Sequence, residues 1–192
     1  MISDWKTRLT EQLEPVLMQP DPRPQLSIHH DLPYAVFHYP PDQEFPLRQE
    51  LALLRTRLEH AGKRITTLSL AECLTAALEA EEMTAEVLAA DEQAVGLDTV
   101  IDTVSDIISV AQPLHRLVMD RLPVDPDPLH DLVFIVRVGA LFPFYRTAPL
   151  LEQMKGQLHA PTVLFYPGDR DGVGLSFMGL LDADYNYRCR IF

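Results

Sequence analysis

The stretch that decides the fold is LVFIVRV, residues 132–138. Apart from Arg137 it contains only aliphatic and aromatic side chains, most of them β-branched, which is typical of a strand covered on both faces of a sheet. A short helix follows it, outlined by Leu150, Leu151, Met154 and Leu158. Residues 162–166 then have the composition of a second strand. The stretch therefore predicts a strand–helix–strand unit with its first strand in the centre of a parallel sheet.

The same alternation extends upstream and downstream of this unit. Residues 34–39 and 65–68 are short apolar runs typical of strands, and a helix that Gly62 ends lies between them, with an apolar face at Leu47, Leu51, Leu54, Leu58 and Ala61. Ser69 and Glu72 form a capping-box pattern, which predicts another helix. Residues 175–178 and 187–192 are expected to complete the sheet, antiparallel at its edge. The predicted fold class is α/β, with a mostly parallel sheet flanked by helices.

The N-terminal segment is predicted to be separate from this sheet. Ile2, Trp5, Leu9, Leu13 and Val16 recur at helical spacing and indicate an amphipathic helix. Three alternating prolines at positions 20, 22 and 24 force an extended connector after it. We therefore predict a helix and connector over 1–31 and a single α/β domain over 32–192. The helix is expected to be a docking arm, with Trp5 in an apolar groove and contributing to partner binding.

An acidic helical insertion is predicted between the strands at 65–68 and 132–138. Residues 65–115 contain no Lys or Arg but ten Asp and Glu residues. Apolar residues from 97 to 122 keep helical spacing, and Pro113 is expected to break or kink the helix. Asp98, Asp102 and Asp106 are four residues apart and share one face. That face is either a salt-sensitive contact with a basic partner or a solvated surface that keeps the protein soluble.

Charge and cysteine usage restrict the function classes. The chain has 192 residues, with 16 Lys and Arg against 28 Asp and Glu, so its formal net charge is −12. Such a chain repels nucleic-acid phosphates unless its basic residues cluster. Cys73 and Cys189 lie far apart without a CxxC motif, which favours a cytoplasmic location. The apolar runs are too short for a membrane span, and charges in the first eleven residues argue against a signal peptide.

The residues offer no recognisable catalytic, metal or cofactor site. The loop PPDQEFP at 40–46 has no glycine and no Lys for phosphates, so we predict no ATP or GTP hydrolysis. The loop GDRDGVG at 168–174 lacks the ligand spacing of a calcium-binding loop. The histidines at 29, 30 and 130 lack the further ligands that a metal site needs. The GxSxG motif of a nucleophilic serine is absent. Five basic residues lie between positions 48 and 64. Their spacing favours a solvated helix face or a partner contact over a nucleic-acid patch.

The most specific signal is a set of separated motifs in the last sixty residues. These are VGALFPFYR at 138–146, LL at 150–151, PTVLFYPG at 161–168, LSFMG at 175–179 and Tyr187-Arg188. The set resembles the BrxB family of bacterial BREX phage-defence systems. The resemblance covers the C-terminal third of the chain, and residues 1–64 add no motif to it.

The resemblance implies a small cytoplasmic subunit without catalytic activity and without a cofactor. It implies a PglZ-type protein of the alkaline-phosphatase superfamily as the direct partner, among other BREX subunits, and a P-loop-like core without a phosphate loop. Arg146 and Arg188 are candidate partner-binding residues, because a polar residue in an apolar motif needs a partner. Arg146 is expected to pair with an acidic neighbour or a ligand anion. The alternative function is a nucleic-acid or nucleotide-sensing adaptor with a degenerate nucleotide-binding fold.

Overall fold

A mostly parallel sheet forms the middle layer of the protein, which the computed structural model describes at residues 5–26, 33–171, 174–181 and 189–192. The strands in this part of the chain are β1 (Tyr34–Tyr39), β2 (Arg64–Ser69), β3 (Asp131–Val136), β4 (Thr162–Asp171), β5 (Gly174–Phe177) and β6 (Arg190–Ile191). They lie in the order β2-β3-β4-β1-β6, with parallel pairing throughout, and β5 pairs antiparallel with β4. The predicted fold class is confirmed, while the P-loop-like detail stays a prediction.

Helices cover both faces of this sheet. In chain order they are α1 (Trp5–Arg8), α2 (Glu14–Leu17), α3 (Arg23–Leu26), α4 (Glu44–His60), α5 (Leu70–Ala80), α6 (Ala85–Val95), α7 (Leu97–Asp106), α8 (Leu114–Met119) and α9 (Thr147–Gln153). π-Helical turns at Leu9–Leu13 and Ile107–Ala111 join α1 to α2 and extend α7. Side chains of β1 alternate between two cores, because successive residues of a strand point to opposite faces.

The first core lies between one face of the sheet and the two helical segments formed by α1–α2 and α4. Leu47, Leu54 and Leu58 of α4 pack on Phe37, Phe134 and Phe165 of the strands. The helix α4 ends as predicted: Gly62 has φ 87°, and the Lys63 N–H donates to the Leu58 carbonyl at 3.0 Å. This is the hydrogen-bond pattern of a helix that closes on a left-handed glycine.

The N-terminal helix belongs to this same core in the structure. Trp5 is 5% exposed and Leu9 and Leu13 are fully buried, all in one cluster with strand residues. Arg57 of α4 donates two hydrogen bonds to Glu14, each 2.7 Å long. The segment predicted as a docking arm therefore covers the sheet here, because its apolar stripe is long enough to seal that face. The boundary at residues 31 and 32 stays a prediction.

The second core lies on the opposite face, under α5, the extended α7, α8 and α9. Ser69 caps α5, as its side chain accepts a hydrogen bond from the Glu72 N–H. Pro113 stands immediately before α8 and separates it from the extended α7. The predicted helical insertion between β2 and β3 is therefore confirmed, and α6 packs beside α7 with none of its residues buried.

The strands depart from the sequence expectations in four places, and the first is β4, which is expected over 162–166 but continues to Asp171. β3 ends at Val136 and not at 138, because Arg137 adopts φ 58° and ψ 37°, which extended pairing does not allow. β4 is the middle strand, and β3 lies beside it. The edge is antiparallel only at β5, whereas β6 pairs parallel with β1. Tyr187 lies outside the described residues.

Within the described ranges, no helix combines the length and the apolarity that crossing a bilayer requires.

Candidate functional site at the carboxyl edge of the sheet

Three of the separated motifs meet at the carboxyl edge, defined here as the edge where β1, β3 and β4 end. Gly139 leaves β3, Pro167 lies in β4 and Met178 follows β5. A Cβ atom placed on Gly139 would lie 3.4 Å from both Met178 Sδ and Pro167 Cγ. The segments at 138–146, 161–168 and 175–179 thus form one continuous surface.

Much of this motif set maintains the architecture of the edge. The ring of Phe177 packs edge-on against Phe142, with ring centres 5.9 Å apart, and lies 5.3 Å from the ring centre of Tyr166. Gly168 is required by the hairpin, since a Cβ atom there would lie 2.1 Å from the Ser176 carbonyl oxygen. These residues determine the shape of the edge. The polar residues around them are the candidates for binding a ligand or a partner.

The loop after β1 is unsuited to phosphate binding. Pro40 and Pro41 carry no N–H, and the side chain of Glu44 lies at the start of α4. Tyr39 donates its hydroxyl hydrogen to Glu44, and Arg48 Nε donates to the same carboxylate at 2.8 Å. Burial and then the hydrogen bond to Glu44 raise the pKa of Tyr39, so the hydroxyl stays protonated. Without N–H groups at positions 40 and 41, the loop lacks the backbone donor array on which phosphate sites depend.

Arg137 is the residue at this edge that sequence reasoning missed. It follows the last residue of β3, has a left-handed backbone and is exposed. Its guanidinium forms no hydrogen bond or ion pair with a described residue. The signal that identifies it is its place as the one charge in the LVFIVRV stretch, directly where a buried strand ends.

Arg146 is placed beside the same edge, and Arg188 lies outside the described residues. Arg146 precedes the first residue of α9 and its side chain is exposed. Among the described residues it has no acidic partner. The expected pairing of Arg146 with an acidic neighbour or a ligand anion therefore stays a prediction, as does its contact with a partner protein.

The acidic face of α7 is fully formed. Asp98, Asp102 and Asp106 are all exposed, and none of them forms an ion pair with a residue in the described ranges. The opposite side of the helix is anchored by Val100 and Val104, which are buried. We refer to Asp98, Asp102 and Asp106 as the acidic stripe.

The predicted basic segment is neutralised by ion pairs. Arg48 pairs with Glu44, Arg55 with Glu59, Arg57 with Glu14 and Arg64 with Asp131, at distances from 2.6 to 2.8 Å. Lys63 is 6% exposed, and its Nζ donates to the carbonyls of Gln19, Pro20 and Leu129. Because acidic side chains offset four of these five cations, the segment carries little net positive charge for a nucleic-acid backbone.

The candidate nucleophiles and metal ligands are not assembled into a site. Burial raises the pKa of the Cys73 thiol and raises that of Cys189 to about 12, which disfavours the reactive thiolate. His130 Nδ1 lies 2.6 Å from Asp127 Oδ2. In the part of the chain that the structure describes, no three His, Cys, Asp or Glu side chains are grouped to hold a metal. His29, His30 and Asp31 lie outside that part.

Comparison with known proteins gives one consistent result. A family model described as "BREX protein BrxB" matches residues 66–191, which is more than half of the chain. A curated protein from Bacillus cereus (strain H3081.97), also named "BREX protein BrxB", is 25% identical over 186 residues. That alignment covers 94% of this chain and 95% of the relative. No solved structure matches the chain significantly.

Proposed function

This chain belongs to the BrxB family of BREX proteins, and from that premise we propose that it is a non-catalytic interaction subunit of a BREX anti-phage defence system. Its direct partner in this proposal is a PglZ-type protein of the alkaline-phosphatase superfamily. The observation that carries the proposal is the acidic stripe: three exposed carboxylates on one face of α7, without cations to neutralise them among the described residues.

The energetics of the stripe support a contact surface. Like charges four residues apart cost an isolated helix about 0.2–0.5 kcal/mol per pair. A basic surface on a partner offsets that cost and accelerates association through long-range attraction. Exposed apolar side chains lie beside the stripe, since Leu97 is 56% exposed and Val95 is 58% exposed. An acidic helix with adjacent apolar residues matches a protein interface with a charged rim.

The carboxyl edge supports a non-catalytic role. Catalysis by general acids and bases needs titratable groups that converge on a reacting atom. At this edge the Tyr39 hydroxyl and the Arg48 guanidinium are both bonded to Glu44, within the protein. The nucleotide-sensing alternative receives less support, because Pro40, Pro41 and Glu44 occupy the position where a phosphate loop supplies donors.

The test is direct complex formation between two purified proteins. The full-length chain and the PglZ-type protein encoded in the same system are mixed at low salt and analysed by size-exclusion chromatography with light scattering. We expect a stoichiometric complex. Separate elution at protein concentrations on the order of 10 µM, which corresponds to a binding free energy weaker than about −7 kcal/mol, contradicts the proposal. An unrelated alkaline-phosphatase-superfamily enzyme serves as the control.

A further inference from the structure

We propose that a cleft at the carboxyl edge binds a carboxylate group through the guanidinium groups of Arg137 and Arg48. The cleft has a volume of about 260 Å³. Residues of the segment after β1 and of the segment after β3 line it, together with Pro167 and Met178.

The position of the cleft in the sheet favours ligand binding. The chain leaves β1 toward α4, which lies on the first core, and leaves β3 toward α9, which lies on the second core. These two strands flank β4. The connection that follows β1 and the connection that follows β3 therefore diverge to opposite faces of the sheet, with β4 between them. In open α/β sheets, ligands bind in the crevice that forms where successive connections diverge in this way.

The backbone at this position holds Arg137 in an uncommon conformation. A non-glycine residue in the left-handed region is strained, because its Cβ atom crowds the following carbonyl oxygen. Met178, which also lines the cleft, has φ 56°. Two residues with left-handed backbones line one cleft, so the surrounding structure maintains the shape of the cleft against backbone strain. Arg137 is held at the cleft in this way, and its guanidinium donors are not used by described residues.

Arg48 supplies a second, fixed guanidinium. Its Nε is bonded to Glu44, and its guanidinium carbon lies 4.9 Å from the ring centre of Phe45. Both contacts orient the group, while its Nη atoms form no hydrogen bond with a described residue. Phe45 is 73% exposed and adds an apolar surface beside the cleft.

The chemistry of the lining selects a carboxylate over a phosphate. Arg48, Arg137 and Glu44 give the cleft a net charge of about one positive unit, which one carboxylate neutralises. A guanidinium donates two parallel hydrogen bonds equally well to a carboxylate and to a phosphate, so the distinction rests on the charge balance and on the missing backbone donors. The cleft is smaller than typical small-molecule sites of about 300–1,000 Å³, and the prolines at 40 and 41 offer no N–H to phosphate oxygens. The carboxylate comes from an acidic side chain of a partner, a source that rests on the proposed function, or from a free carboxylic acid.

The test uses glutarate as a probe of the glutamate side chain. The arginine Nε–H signals of the ¹⁵N-labelled full-length protein are followed by NMR during titration with glutarate at constant ionic strength. We expect the Arg137 signal to shift and saturate. R137A, followed through the Arg48 Nε–H signal, is expected to bind at least about tenfold more weakly, as loss of a charge-assisted hydrogen bond requires, and R137K, which keeps the charge but loses the paired donors, is expected to be intermediate. Arg116→Ala is the matched control, because Arg116 is also exposed and has no partner among the described residues.

Two results overturn the proposal. One is a linear, non-saturating shift that is equal for Arg137 and Arg116, which indicates only general ion association. The other is saturation by inorganic phosphate or ADP at lower concentrations than by glutarate. The amide spectrum of R137A, compared with that of the wild type, separates loss of binding from loss of folding.

A second arm identifies the source of the carboxylate. If R137A also weakens binding to the PglZ-type protein while R116A does not, the partner supplies the group. If R137A binds that protein like the wild type, the ligand is a free acid. Failure of the wild-type chain to bind the partner contradicts the proposed function alone, because the glutarate titration still decides whether the cleft recognises a carboxylate.

Discussion

His38 shows at the level of one residue how the fold couples to pH. Its ring is partly buried, and Nδ1 lies 3.3 Å from the Gly168 carbonyl oxygen. Burial first, and then the positive charge of Arg8, lower the pKa of His38 to about 4. Asp169 and Arg170 also face the ring, with opposite and smaller effects. The folded protein therefore holds His38 neutral down to a pH at which an unfolded histidine is already protonated.

This difference predicts a loss of stability in weak acid. As the pH falls from 6.5 toward 4, the unfolded chain binds a proton at His38 that the folded chain does not, so the free energy of unfolding decreases. After a discount for the solvent access of the ring, we expect wild type to lose about 1–2 kcal/mol more than His38→Gln between pH 7 and pH 4.5. Urea unfolding of wild type and of His38→Gln at pH 7 and at pH 4.5 measures this difference in the free energy of unfolding. Parallel losses in the two proteins would show that His38 titrates normally.

Lys63 and Arg137 show what sequence alone could and could not reveal at this scale. Lys63 is bonded to carbonyls from the N-terminal connector and from the loop before β3, at positions 19, 20 and 129. Contacts between such distant segments have no local pattern, so a buried lysine was not predicted. Arg137 did carry a signal, as a charge at the end of a buried strand, but no local sequence pattern indicates its left-handed backbone.

At the scale of elements, local patterns predicted most helices and strands. The leucine spacing of α4 with Gly62, the Ser69 cap and Pro113 each act over a few residues, and each has the predicted effect in the structure. Pairing direction depends on distant segments instead, which explains why β6 was misassigned. The acidic stripe required only helical spacing, because exposure of one face follows once Val100 and Val104 are buried on the other.

The end of α5 provides a prediction about stability. Glu82 adopts φ 57° where the helix closes, with the Met83 N–H donating to the Leu78 carbonyl at 2.9 Å. Glycine is the preferred residue at this position, because it has no Cβ atom to strain the left-handed backbone. We expect Glu82→Gly to raise the free energy of unfolding by about 0.5–1 kcal/mol.

Thermal or urea unfolding measures this gain, and the neighbouring residue provides the control. Glu81 has φ −99°, so Glu81→Gly removes the same charge without relieving strain and is expected to be neutral or destabilising. Equal effects of the two substitutions would assign the gain to charge and not to the backbone.

The N-terminal helix gives a second prediction at the element scale. Because Trp5 is buried in the first core, Trp5→Ala is expected to destabilise the whole chain by about 3–5 kcal/mol in a single transition. Gln12→Ala, at an exposed position of the same helical segment, is the control. Calorimetry distinguishes a helix that belongs to the core from a docking arm. In a docking arm, Trp5→Ala would leave the main unfolding transition at its wild-type temperature and would weaken partner binding instead.

At the scale of the whole molecule, charge is distributed unevenly. The net charge of −12 is concentrated in the helices between β2 and β3, whereas the arginines and lysine between 48 and 64 are bonded to protein acceptors. The molecule therefore presents an acidic helical surface on the second core and a small cleft with unused guanidinium donors at the carboxyl edge. We propose that the acidic surface contacts a partner protein and that the cleft binds a carboxylate.

The central claim is that the acidic stripe contacts a basic surface of the PglZ-type partner. Its most direct test is the association rate constant measured at low and at high salt for wild type and for the combined variant Asp98→Asn, Asp102→Asn, Asp106→Asn, which keeps side-chain size and removes charge. A second variant with three substitutions at exposed positions away from α7, Glu11→Gln, Asp120→Asn and Asp125→Asn, controls for net charge. The account predicts that only the stripe variant associates more slowly at low salt and with a flatter salt dependence. Rates equal to wild type at both ionic strengths would contradict it and would assign the interface to another surface.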